Sequence, residues 1–129
     1  MLRRQVIAVL LVLHGLIHLF GFLTSWNIID VPGISRTPTV FPDEVPIGVI
    51  RDLGALWLLG LAAFFLAAYA VLRDHHWWKG VAFGSAVVSL LATLFWIHEA
   101  WPGLILNAVI IALIARSWWR AHHPEQVQA

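Results

Sequence analysis

The chain has no cysteine, few charges and no basic run, and each absence removes a class of function. Without cysteine there is no disulfide, no thiolate metal site and no cysteine nucleophile, and the redox compartment stays open. Charged residues make up 12% of the 129 residues against 60% hydrophobic ones, which sets the chain outside the ordinary soluble range. A net charge of +1, with no basic stretch interleaved with aromatics, excludes a nucleic-acid partner. There is no nucleophile elbow for a soluble-type catalytic triad, no internal repeat and no low-complexity tract.

What is present is a series of apolar runs of membrane-crossing length. Residues 5 to 23, 53 to 72, 80 to 97 and 101 to 118 each approach the roughly 20 residues needed for a hydrocarbon core of about 30 Å, and Pro102 can sit in the first turn of the fourth. These spans predict a single all-α domain over residues 1 to 129, an integral membrane four-helix bundle in a lipid bilayer. Arg3, Arg4, Arg73, Lys79, Arg116 and Arg120 fall on the side of the termini, and Arg36 and Arg51 on the other. The positive-inside rule therefore predicts a multi-pass cell-membrane protein with both termini cytoplasmic. Trp77, Trp78, Trp118 and Trp119 mark an inner interfacial belt, and Trp26, Trp96 and Trp101 an outer one.

The opening "MLRR" and the apolar run after it read as a retained span, because "FLTSWNII" offers no small-residue cleavage pattern. The long outer connection, residues 24 to 52, carries Pro32, Pro38, Pro42 and Pro46 with Asp30, Asp43 and Glu44. Such a segment cannot be one continuous helix, and it is either a cap over the bundle mouth or a solvated linker. Gly80 and Gly84 form a G-x-x-x-G step, and Ala63, Ala67 and Ala70 a small-residue face, both suited to helix packing. His75, His76, His122 and His123 stand beside tryptophan pairs at the inner boundary and read as interfacial anchors. The tail "HHPEQVQA" reads as frayed and polar.

Two histidines interrupt the first span. His14 and His18, four residues apart, share a helix face, and burying imidazoles in hydrocarbon without partners costs on the order of 1 to several kcal/mol. Glu99, Gly103 and Asn107 repeat at the same interval at the start of the fourth span, and counting inward brings Asn107 to the depth of the histidines. A polar site of His14, His18, Glu99 and Asn107 in the outer half of the bundle is the expectation. Arg51, Asp52, Ser89, Thr93 and His98 stand as supporting positions, with Arg51 and Asp52 free to pair with Glu99 or each other. Ser85, Ser89 and Thr93 form a hydroxyl stripe, and His98 lies roughly opposite that stripe on a helical wheel.

Paired histidines with a carboxylate from another helix suit a first-row transition metal, and a metal-handling or redox role would follow. Neither a second H-x-x-x-H nor a Glu-x-x-His accompanies them. A b-type haem is the weaker fit, since His98 is the remaining intramembrane ligand, and a quinone or lipid headgroup suits the same cavity. The same features also allow a non-catalytic accessory subunit of a larger membrane complex. A small oligomeric transporter, which would need a homo-oligomer, is the least supported, for want of repeated halves or paired broken helices.

At "HGLIHLFGF" and "HEAWPGLILN" the chain resembles a family of uncharacterised small bacterial four-span membrane proteins. Its pattern has H-G-x-x-H-x-x-G-F in the first helix, G-x-L-W-L in the second, and D-A-K-F-G-T-x-x-N leading into the fourth. His14, Gly15, His18, Gly21 and Phe22 match the first, and Gly54, Leu56, Trp57 and Leu58 the second. Glu99, Ala100, Gly103 and Asn107 match the third, where Trp101, Pro102 and Leu104 depart from it and leave its lysine without a counterpart. The resemblance implies a four-helix membrane fold, DoxX-like in architecture only, and brings no activity with it.

Overall fold

The computed structural model describes residues 2–41 and 44–123, so Pro42, Asp43 and the tail from Pro124 onward lie outside the described residues. Four helices follow one another: α1 Leu2–Ser25, α2 Ile47–Leu72, α3 Trp78–Phe95 and α4 Ile97–His122. All four are long and apolar enough to cross a membrane. With a rise of about 1.5 Å per residue, the 26-residue α2 reaches about 39 Å, longer than a hydrocarbon layer of about 30 Å. Its first turn starts at Ile47, earlier than the apolar run implied, because Pro46 closes the irregular chain at the N-cap with φ −56° and accepts a bond from Ile50 N–H. α4 likewise begins at Ile97, so Pro102 lies inside the helix and not in its first turn.

Two helix ends are set by residues other than glycine. Asn27 and Asp74 both take φ of 58°, the left-handed conformation that short polar side chains tolerate. After Asn27, Ile28 N–H donates to Leu23 C=O; after Asp74, His75 N–H donates to Ala70 C=O. These are Schellman closures, and they turn the chain sharply out of α1 and α2. Arg4 and Asp74 meet at 2.8 Å, an exposed ion pair that places the start of α1 beside the α2–α3 turn.

α1 packs on α2, α2 on α3 and α3 on α4, while no packing seam joins α1 to α4 among the described residues. The interior has three layers. Near the termini, Ala8, Leu11, Phe64, Ala67, Ala68, Val71, Ala82, Ala86 and Ile114 form an apolar cluster. Toward the opposite end, Trp57, Ala92 and Trp96 form an aromatic one. Between them lie the polar side chains described below.

Helices approach at Gly15, Gly21, Gly54 and Gly60, where an added Cβ would meet Phe64, Trp57, Ser25 and His18 in turn. Gly80 and Gly84 face open space, so the G-x-x-x-G step takes no part in packing within the chain. Ala67 and Ala70, by contrast, are fully enclosed. Trp26, Trp101, Trp118 and Trp119 are exposed as interfacial anchors would be, but Trp96 is buried. His75 stacks on Trp77 and His123 on Trp119, with centroids 5.0 and 5.1 Å apart.

The connection after α1 is strapped to the α3–α4 corner and is no free linker. Trp96 Nε1–H donates to Ser35 C=O at 3.0 Å, and Thr39 N–H donates to Phe95 C=O at 2.8 Å. Phe41 stacks on Phe95. Trp96→Phe removes the Ser35 bond and part of the ring packing, a net change of at least about 1 kcal/mol that raises local opening roughly fivefold or more. Limited proteolysis of residues 28 to 41 is expected to accelerate by that factor, and an unchanged rate would show the strap to be held by Phe41 and Thr39 alone.

Candidate functional site

Nearly midway along α1, His14 and His18 turn into the bundle and are almost wholly enclosed, at 5% and 1% exposure. The four-residue interval stacks them on one face, and His18 Nδ1–H donates to the His14 carbonyl at 2.9 Å. That bond fixes the His18 tautomer, because a carbonyl can only accept. His18 Nε2 is then an acceptor, and Ser89 Oγ–H of α3 donates to it at 2.6 Å. Asn107 Nδ2–H of α4 donates to Ser89 Oγ at 2.6 Å, which leaves Asn107 Oδ1 to accept from His14 Nε2–H at 2.9 Å. One carbonyl thus sets the direction of four consecutive bonds, and α1, α3 and α4 are joined through side chains that α2 underlies.

α2 supplies the floor. Gly60 lies under the His18 imidazole, where an added Cβ would come within 2.6 Å of Cδ2. Phe64 meets His14 edge-on at 4.6 Å between centroids, and Trp57 meets His18 at 5.4 Å. Rings on one side and hydrogen bonds on the other leave the imidazoles little rotational freedom. Two nitrogens here are buried without a hydrogen-bond partner, Trp57 Nε1–H and, of the imidazole nitrogens, His14 Nδ1 alone. Since Nε2 carries the proton, Nδ1 presents a lone pair and needs a donor.

His14, His18 and Asn107 therefore meet, with Ser89 as the link that closes the set. Each of the four lies between the midpoint of its helix and the end remote from the chain termini. Glu99 is not part of it; its Oε2 is buried without a partner in the next layer out. Arg51 and Asp52 are exposed and form no ion pair with Glu99 or with each other among the described residues. Arg51 instead accepts from Trp26 Nε1–H through its carbonyl at 3.1 Å. Thr93 is buried but donates to Leu90 C=O within its own helix, and His98 is exposed, its backbone N–H 3.5 Å from Thr39 Oγ1. No group of three or more His, Asp or Glu side chains able to hold a metal ion forms among the described residues.

Gly60, Phe64 and Trp57 were not legible as site residues. An apolar run carries no polar mark; the signals were the G-x-L-W-L step that holds Trp57 and a glycine at mid-span among large side chains. The chain matches no family model, and neither a curated protein nor a solved structure matches it.

Proposed function

We propose that the protein is a small multi-pass protein of a bacterial cell membrane, both termini cytoplasmic, that binds a hydrogen-bond-donating ligand at His14 in its polar layer. One observation carries this reading: of the four imidazole nitrogens of His14 and His18, Nδ1 of His14 alone is buried and unpartnered. Ionisable side chains inside a membrane are functional by default, and a buried polar atom left without a partner costs about 1–3 kcal/mol, a cost that a ligand donor removes. A first-row transition metal held by His14, His18 and Glu99 fits this geometry less well. Three of the four nitrogens already serve the protein, and Glu99 makes no contact with either histidine. Haem fits less still, with His98 outside the network.

The test is metal analysis, an optical spectrum and mass spectrometry of the organic extract on protein purified without a histidine tag. Wild type is compared with His14→Ala/His18→Ala. A stoichiometric organic molecule lost in the double variant is expected. Stoichiometric metal or a haem band lost there would replace this reading with coordination, and a folded wild type carrying nothing would reduce the histidines to helix contacts.

A second reading is an accessory subunit of a larger membrane complex or a homo-oligomer. α4 favours it, burying only Asn107 and Ile114 fully within the chain. Crosslinking in native membranes would then recover a constant heterologous neighbour along α4, or a second copy if the protein is a homo-oligomer.

A further inference from the structure

A groove of about 580 Å³ runs between α1 and α4, within the roughly 300–1,000 Å³ of small-molecule sites. Leu10 and Ile17 of α1 and Leu106, Val109 and Leu113 of α4 line it, and all five are exposed, so the groove opens sideways to the bilayer. Trp78 and Lys79 stand at its end nearest the termini, and His14 is on its wall. Lys79, like Ser117, is ten residues along its helix from its nearest member of the polar set, about 15 Å away along the axis. His14, only 5% exposed, is thus the lone polar side chain in the deep wall of an otherwise aliphatic groove, and its Nδ1 lies closed behind that wall.

A water molecule is a poor occupant for that position. Buried waters make about three hydrogen bonds, and here one acceptor stands among aliphatic side chains. A donor carried on an apolar body satisfies the nitrogen and fills the groove at once. A ketone, ether or ester offers lone pairs alone and would face the Nδ1 lone pair unfavourably.

We propose that this groove binds one bilayer-dissolved molecule, an apolar chain or ring system bearing a hydroxyl that donates to His14 Nδ1 once the aliphatic side chains over that nitrogen turn aside, and that the molecule enters laterally between α1 and α4. The assignment rests on the ligand-binding reading above and names its ligand class.

The test uses the full chain in phosphatidylcholine vesicles and two probes, a 4-alkylphenol with a photoreactive diazirine in its tail and the methyl ether of the same molecule. Adducts are mapped by peptide mass spectrometry. The phenol is expected to label α1 and α4 around the groove about tenfold more than the ether at equal membrane concentration, the ratio expected for one buried acceptor gained or lost. Leu106→Trp/Leu113→Trp fills the groove from α4 and abolishes that labelling; Leu10→Trp fills it from α1 and serves where the α4 variant does not insert. Equal or absent labelling of wild type by the two probes overturns the proposal together with the ligand role of Nδ1. A phenol preference that survives both groove fillings overturns the groove alone and leaves the function proposed for His14 standing.

Discussion

Asn107→Ala is expected to destabilise the bundle by about 2 kcal/mol, more than any other single change at a polar position. The side chain is fully buried and is the only one that both accepts from His14 and donates to Ser89. Its removal leaves an imidazole N–H without an acceptor and a hydroxyl oxygen short of a donor, at a typical cost of about 1–3 kcal/mol each. Hydrogen bonds in membrane proteins measure lower, about 0.6 kcal/mol on average, because the unfolded helices find other partners, and this brings the sum down to the expected value. Thr93→Val is the matched control. Thr93 is equally buried, but its hydroxyl serves only a carbonyl one turn back in its own helix. A shift under about 0.5 kcal/mol is expected there. Reversible unfolding in mixed micelles reads both, and equal losses at the two positions would dissolve the distinction between the network and ordinary helix polarity.

The second large effect is steric. At Gly60 a methyl group would stand 2.6 Å from the His18 ring, and at Gly21 2.6 Å from Trp57. Neither ring can retreat, since His18 is held at both nitrogens and Trp57 lies against Trp96. Overpacking of this kind costs about 1–3 kcal/mol, and at Gly60 it also pushes His18 away from Ser89. Gly60→Ala should therefore lower the melting temperature and broaden the His18 imidazole resonances. Gly80→Ala and Gly84→Ala meet open space and gain helix propensity of roughly 0.5–1 kcal/mol, so these are expected to be neutral or stabilising. Loss of stability at Gly80 would mean that this face is covered by something outside the chain.

Composition and run length were enough to read the four spans, because hydrocarbon imposes its thickness on any helix that crosses it. The meeting of His14 with Asn107 was legible for a related reason: depth can be counted from each boundary. What depth cannot give is rotation about the helix axis. Glu99 misses the histidines by depth and not by rotation, since it shares the four-residue repeat with Asn107 but stands two turns nearer the boundary. Gly80 and Gly84 carry a packing motif that faces away from the other helices. Trp96 has the composition of an interfacial anchor, but the corner between α3 and α4 turns it inward beneath Ser35. The start of α4 was hidden by Pro102, which a helix accommodates once its first turn is already formed by Trp96 C=O bonded to Ala100 N–H.

Asn107 has one more consequence. A carboxamide keeps both of its protons at any pH the cell reaches, so it can orient two imidazoles without passing charge between them. The chain of bonds from His14 to His18 is in that sense an insulator, and the backbone carbonyl at its far end closes it to conduction there as well. A carboxylate at position 107 would make it a conductor. With an amide in that place, the two histidines are tied together in space but exchange no proton through position 107.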